Sequence, residues 1–151
     1  MMFKRMAFAG VVTMLLAVTA CNNKANDNLQ VKADSLFDVV MKGHDVGMPK
    51  MMKVEKMQVA ATKLIDSIGK LPTAQQQALA GYALQLDTLV RDLNYATTAM
   101  DKWMMEMNFT DTLSDNLPER IKYLSNEEVK VNKMNEAITN SLAKGDTLLK
   151  K

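Results

Sequence analysis

The stretch TAQQQALAGYALQLDTLVRDLNYATTAMDKWMMEM, residues 73–107, decides the fold. Leu79, Tyr82, Leu86, Val90, Leu93, Thr97, Met100, Met104 and Met107 recur at three- and four-residue steps. That spacing collects them into one stripe of a helix and leaves the charged and amide side chains on the other faces. A helix of this length spans about 50 Å at 1.5 Å per residue. It can bury such a stripe only against other long helices.

Upstream, Gly69-Lys70-Leu71-Pro72 reads as a turn, and Thr73 with Gln76 matches a capping box. Before it lies a first helix, from about Leu29 to Gly69. Leu36, Val40, Val54, Met57, Ala61, Ile65 and Ile68 mark its apolar stripe. Gly43, Gly47 and Pro49 interrupt the pattern. Because Pro49 lacks a backbone donor, a kink is expected near residues 43–49. Downstream, Asn108–Asn116 reads as a loop, and Pro118 suits the first turn of a third helix. Ile121, Leu124, Val131, Met134, Ile138 and Leu142 form its stripe, and Ser125 with Glu128 suggests a bend or restart. The expected fold is all-α: an antiparallel up-down-up three-helix bundle with long helices, the first kinked near Pro49. A turn centred near residues 71–72 brings Gly43 level with Met100, and the next turn brings Trp103 level with Tyr123.

The amino terminus has another character. Lys4 and Arg5 precede an apolar run from Met6 to Leu16, followed by Val18-Thr19-Ala20-Cys21. A basic head, a short apolar segment and small residues before a cut site describe a secretory leader, too short to span a bilayer. The last four residues resemble the bacterial lipobox. That resemblance implies cleavage after residue 20, lipidation of Cys21 and anchoring through its acyl chains. Asn22, in place of an aspartate, implies delivery to the outer membrane of the cell envelope. Cys21 is the chain's one cysteine, which fits an anchor. The organisation expected is therefore a leader at 1–20, a lipidated cysteine with a flexible polar tether at 21–28 (NNKANDN after the cysteine), and a helical domain at 29–151. Cleavage removes two of the 19 basic side chains and none of the 17 acidic ones, leaving a formal net charge of zero. A neutral surface of mixed sign offers no footprint for nucleic acid.

The catalytic inventory is thin, with one histidine, His44, and no G-x-S-x-G, H-E-x-x-H, Walker or G-x-G-x-x-G pattern. The chain reads as a non-enzymatic binding or structural protein. Methionine is what stands out. Met41, Met48, Met51 and Met52 flank His44, and Met100, Met104, Met105 and Met107 flank Trp103. His44, Met48 and Met51 share one spacing, as do Met100, Met104 and Met107. Thioether and imidazole are ligands for Cu(I), so His44, Met48, Met51, Met100 and Met104 form a candidate Cu(I) or Ag(I) site with Trp103 as its aromatic neighbour. The same residues also read as core packing plus an adaptable Met-rich end that docks a protein partner or a second copy. On the helical wheel Met41, His44 and Met48 lie at the edge of the first stripe, so both readings stand.

His44-Asp45-Val46-Gly47-Met48-Pro49-Lys50-Met51, followed by MDKWM at 100–104 and KVNKMN at 130–135, resembles a group of small Bacteroidota helical lipoproteins. Some of these carry names borrowed from coiled-coil proteins, such as "viral A-type inclusion protein". The resemblance implies an envelope helical lipoprotein and singles out His44, Met48, Pro49, Met51, Trp103 and Met104.

Overall fold

Periodicity and two strong breakers account for nearly all of the architecture. The computed structural model describes residues 18–110 and 113–150, with side-chain surroundings from residue 25 onward. The leader up to residue 17 and the side chain of Cys21 lie outside the described residues. Four α-helices follow in order: α1 (Val18–Gly47), α2 (Met51–Gly69), α3 (Thr73–Glu106) and α4 (Leu117–Leu149). A single 3₁₀ turn, Met48–Lys50, joins α1 to α2. The two form one kinked arm of an all-α three-helix bundle, and no strand occurs among the described residues. Among the described residues no helix is long and apolar enough to cross a membrane.

The kink arises at Pro49, as expected. Its missing N–H cannot serve the carbonyl one turn back, and the chain tightens to 3₁₀ for three residues. The glycines before it act differently from expectation, because α1 runs through Gly43 and ends only at Gly47. They allow close approach to α4. A Cβ on Gly43 would meet Val131 Cγ1 at 2.7 Å, and one on Gly47 would meet Asn135 Oδ1 at 2.6 Å. Asn135 Nδ2 donates to the Gly43 carbonyl at 2.7 Å across the same seam. Two glycines one turn apart are here a helix-contact device.

The break at 48–50 also exchanges partners. α1 lies chiefly along α4, α2 lies chiefly along α3, and the backbones of α1 and α3 hardly approach one another. The core runs through all four helices. Leu86, Leu89 and Leu93 of α3, Val54 and Ala61 of α2, Val40 of α1 and Val131 and Ile138 of α4 are fully buried. Each buried leucine, isoleucine or valine of this set contributes about 1.5–3 kcal/mol of burial.

Several local expectations are corrected. The tether expected at Asn22–Asn28 lies within α1, since no proline or glycine stops the helix between Val18 and Met41. Thr73 and Gln76 do not form a capping box. Pro72 holds the N-cap position, and the Gln76 amide donates instead to the carbonyls of Gly69 and Leu71, tying the α2–α3 turn together. α4 starts at Leu117 behind Asn116, whose side chain accepts from the Glu119 N–H, and passes Ser125 and Glu128 without restarting. The buried stripe of α3 is rotated from its expected axis. Leu89, Ala96 and Trp103 are buried, whereas Val90 and Thr97 are half-buried and Met104 is 39% exposed. Met100 packs level with Gly47, one turn beyond Gly43. Side chains lean toward their own helix N-terminus, so across an antiparallel pair each contact falls at higher residue numbers on both helices.

Candidate functional site

Where α1 leaves α3, rings and thioethers fill the space between them. His44 is half-buried near the end of α1, and its imidazole stacks on the indole of Trp103 with centroids 5.5 Å apart and planes 28° apart. Phe109, just past the end of α3, meets the same indole edge-on at 5.9 Å. The stack bridges the arm and α3 at the level where their backbones have separated.

The polar atoms of this layer are unevenly satisfied. His44 Nδ1 lies 3.1 Å from Asp45 Oδ1, while His44 Nε2 is buried with no hydrogen-bond partner. Trp103 Nε1 is buried and unpartnered as well. On α4, Glu127 is 1% exposed. One of its oxygens accepts from Lys130 Nζ at 2.7 Å, and the other, Oε2, has no partner. Asn135 Oδ1, beside Gly47, is the fourth such atom among the described residues. Buried polar atoms are nearly always paired, so these orphans mark this part of the core as chemically distinct.

The methionines of the sequence pattern separate into two kinds. Met100 is 1% exposed and its methyl group lies against Gly47, so it is core. Met51 is half-buried and packs on the same core. Met107 is buried, and its Sδ accepts from the Tyr123 hydroxyl at 3.3 Å. The same hydroxyl accepts from the Asn108 N–H at 2.7 Å and so closes the end of α3. Met48, Met104 and Met105 are instead 43%, 39% and 80% exposed, beside Phe109 at 48%. Of the expected set, then, His44, Trp103, Met48 and Met104 belong to the open end, whereas Met51 and Met100 belong to the packing.

On the α4 side Trp103 floors a groove of about 470 Å³, together with Ala99 and Met134. Lys102, Lys130 and Lys133 line it with Tyr95 and Glu106. Two of these lysines are already paired, Lys102 with Glu106 at 3.8 Å and Lys130 with Glu127. The hydrogen bond that Lys130 donates to Glu127 holds the ammonium's pKa above its usual range, against the effect of burial. No family model, curated protein or solved structure matches the chain.

Sequence reasoning missed Asp45, Phe109 and Glu127. Glu127 was findable, because it occupies the step between Leu124 and Val131 in the α4 stripe. A carboxylate at a core position is a signal in itself. Phe109 was assigned to a loop, where no periodicity speaks for it.

Proposed function

We propose that this chain is an envelope lipoprotein, held to the outer membrane by acyl chains on Cys21, whose helical bundle has a non-enzymatic binding role. The lipobox resemblance of Val18–Cys21 supports the anchor. The observation that carries the binding role is the run of exposed apolar side chains beside the buried His44–Trp103 stack; other exposed apolar residues, such as Val31, Leu84 and Tyr95, are spread singly along the helices. Phe109 meets the His44–Trp103 stack edge-on, and Met48, Met104 and Met105 lie exposed close to it in sequence, while Met100 and Met107 are buried. Exposed apolar patches of this kind mark interaction sites, and thioethers repack readily against a partner surface. Along α1 this end lies about 35 Å from residue 21, at 1.5 Å per residue. A partner docking there would therefore be held clear of the bilayer surface.

Two measurements test the reading. Cys21→Ala should abolish incorporation of radiolabelled palmitate and release the protein from membranes, and continued labelling would refute the anchor. A photo-crosslinking residue at Met105 should give a discrete adduct in cells, whereas one at the equally exposed Lys63, on α2, should not. Equal labelling at both positions would refute a binding end. An adduct at twice the protein's own mass would identify the partner as a second copy.

A further inference from the structure

The side chains around His44 go beyond a docking surface. We infer that this end is a site for a soft monovalent cation, Cu(I) or Ag(I), bound by His44 Nε2 and by thioethers of Met41, Met48 and Met104 beside the indole of Trp103. The inference rests on the reading of this end as the binding region and names its ligand.

The imidazole carries the argument. A carboxylate only accepts, so the 3.1 Å contact with Asp45 Oδ1 keeps the proton of neutral His44 on Nδ1 and the lone pair on Nε2. That lone pair is buried and has no donor. Carboxylate–imidazole pairs of this form orient metal-binding histidines and raise their basicity. Met41 stands three residues before His44 on its face of α1, and Met48, four residues after it, opens the 3₁₀ turn that follows. Met41 is half-buried and Met48 partly exposed, and Met104 follows Trp103 on α3. Met100 and Met107 are excluded because one is packed against Gly47 and the other receives the Tyr123 hydroxyl.

The ligand set selects the ion. Thioether sulfur with imidazole suits Cu(I), whereas calcium, magnesium and manganese need oxygen ligands. Among the described residues no three His, Cys, Asp or Glu side chains gather in one place, so a harder ion finds no comparable site. The indole supplies the remaining surface. With the imidazole stacked on it at 28°, an ion on Nε2 would lie beside the π system of Trp103, which favours a cation. Binding consumes no electron, and the neutral imidazole offers its Nε2 lone pair to the ion.

The test is an anaerobic titration of the full chain in detergent micelles with Cu(I), against a competing Cu(I) chelator, read by the fluorescence of Trp103, the chain's one tryptophan. Saturable quenching at one equivalent is expected, with none from Zn(II). His44→Phe keeps a ring on the indole and should abolish quenching while far-ultraviolet circular dichroism stays unchanged. Met48→Leu and Met104→Leu should each weaken binding about tenfold or more, and Met52→Leu, at an exposed methionine of α2, should leave it unchanged. Asp45→Asn should weaken binding about tenfold through the lost orientation of the ring, and Asp45→Glu should restore it. A flat titration, quenching that survives His44→Phe, or an equal loss in Met52→Leu would each overturn the inference. If the titration is flat while Met105 still crosslinks a partner, the cation site falls and the docking end stands.

Discussion

α1 and α2 are one arm in the sequence pattern, yet they pack by different means. α2 lays Val54, Met57, Ala61 and Ile68 into the bundle and meets α3 in an apolar layer, flanked by a hydrogen bond between Gln58 and Asn94. α1 buries few large side chains and holds α4 through close approach and polar contacts. These contacts are Gly43 against Val131, Asn135 on the Gly43 carbonyl, and Asp34 on Arg120 at 2.7 Å. Three residues of 3₁₀ helix separate the two modes. The difference teaches where a bundle can afford chemistry. Buried apolar volume is greater along α2 than along α1, and the separation of α1 from α3 opens the layer that His44 and Trp103 fill.

Removing volume from the α2–α3 layer should therefore have the largest effect. Leu93 is fully buried, and Leu93→Ala should cost about 2–5 kcal/mol, read from urea unfolding by circular dichroism. A cost under about 1 kcal/mol would mean that this layer is not where the stability resides.

The α1–α4 seam should answer to added volume instead. Gly43→Ala gains about 1 kcal/mol of helix propensity but drives a methyl group into Val131, so a net cost of about 1–2 kcal/mol is expected. In a Val131→Ala background the added methyl has room, and the same change should become neutral or stabilising. A double-mutant cycle without coupling would show that the two helices do not touch there.

These two tests also mark what the sequence could and could not reveal. The α3 pattern was legible because its apolar residues outnumber alternatives at every turn. Pro49 was legible because a missing donor has one structural meaning. Gly43 and Gly47 were misread as breaks, since a glycine that weakens a helix and one that admits a neighbour look alike in one dimension. The site was half legible. His44, Met48, Trp103 and Met104 share the open end, but Met100 and Met104 differ in burial because the α3 stripe is rotated from Leu93-Thr97-Met104 toward Leu93-Ala96-Trp103. Only packing partners fix such a rotation. The pairing of His44 Nδ1 with Asp45, which orients the free nitrogen, joins sequence neighbours whose side chains need not meet.

Glu127 is where stability and site disagree. A carboxylate with one unpartnered oxygen in the core is a cost that an apolar side chain of similar volume would remove. Lys130 is half exposed and can return to water, so Glu127→Leu should stabilise the fold by about 1 kcal/mol in thermal melts. Destabilisation would mean that the carboxylate holds the helices in register.

The smallest expected effect is electrostatic and belongs to the far end of the α1–α4 seam. Hydrogen bonds from Gln30 and then Arg120 hold the Asp34 carboxyl below its ordinary value of 3.8. A carboxyl with a lowered folded-state pKa stabilises the fold above its unfolded value, and that contribution fades as pH falls through the folded value. Arg120 is buried on α4 whereas Asp34 is exposed on α1, so protonation weakens a contact between helices as well as the Gln30 contact within α1. Asp34→Asn should therefore flatten the acid limb of the stability profile below pH 3.8 and lower neutral stability by the same small amount. Asp146, lowered by Lys53 of α2, offers the matching control on the other arm. If Asp34→Asn and Asp146→Asn flatten the acid limb equally, the two arms rely on ion pairs alike, and their contrast reduces to glycine contact against apolar volume.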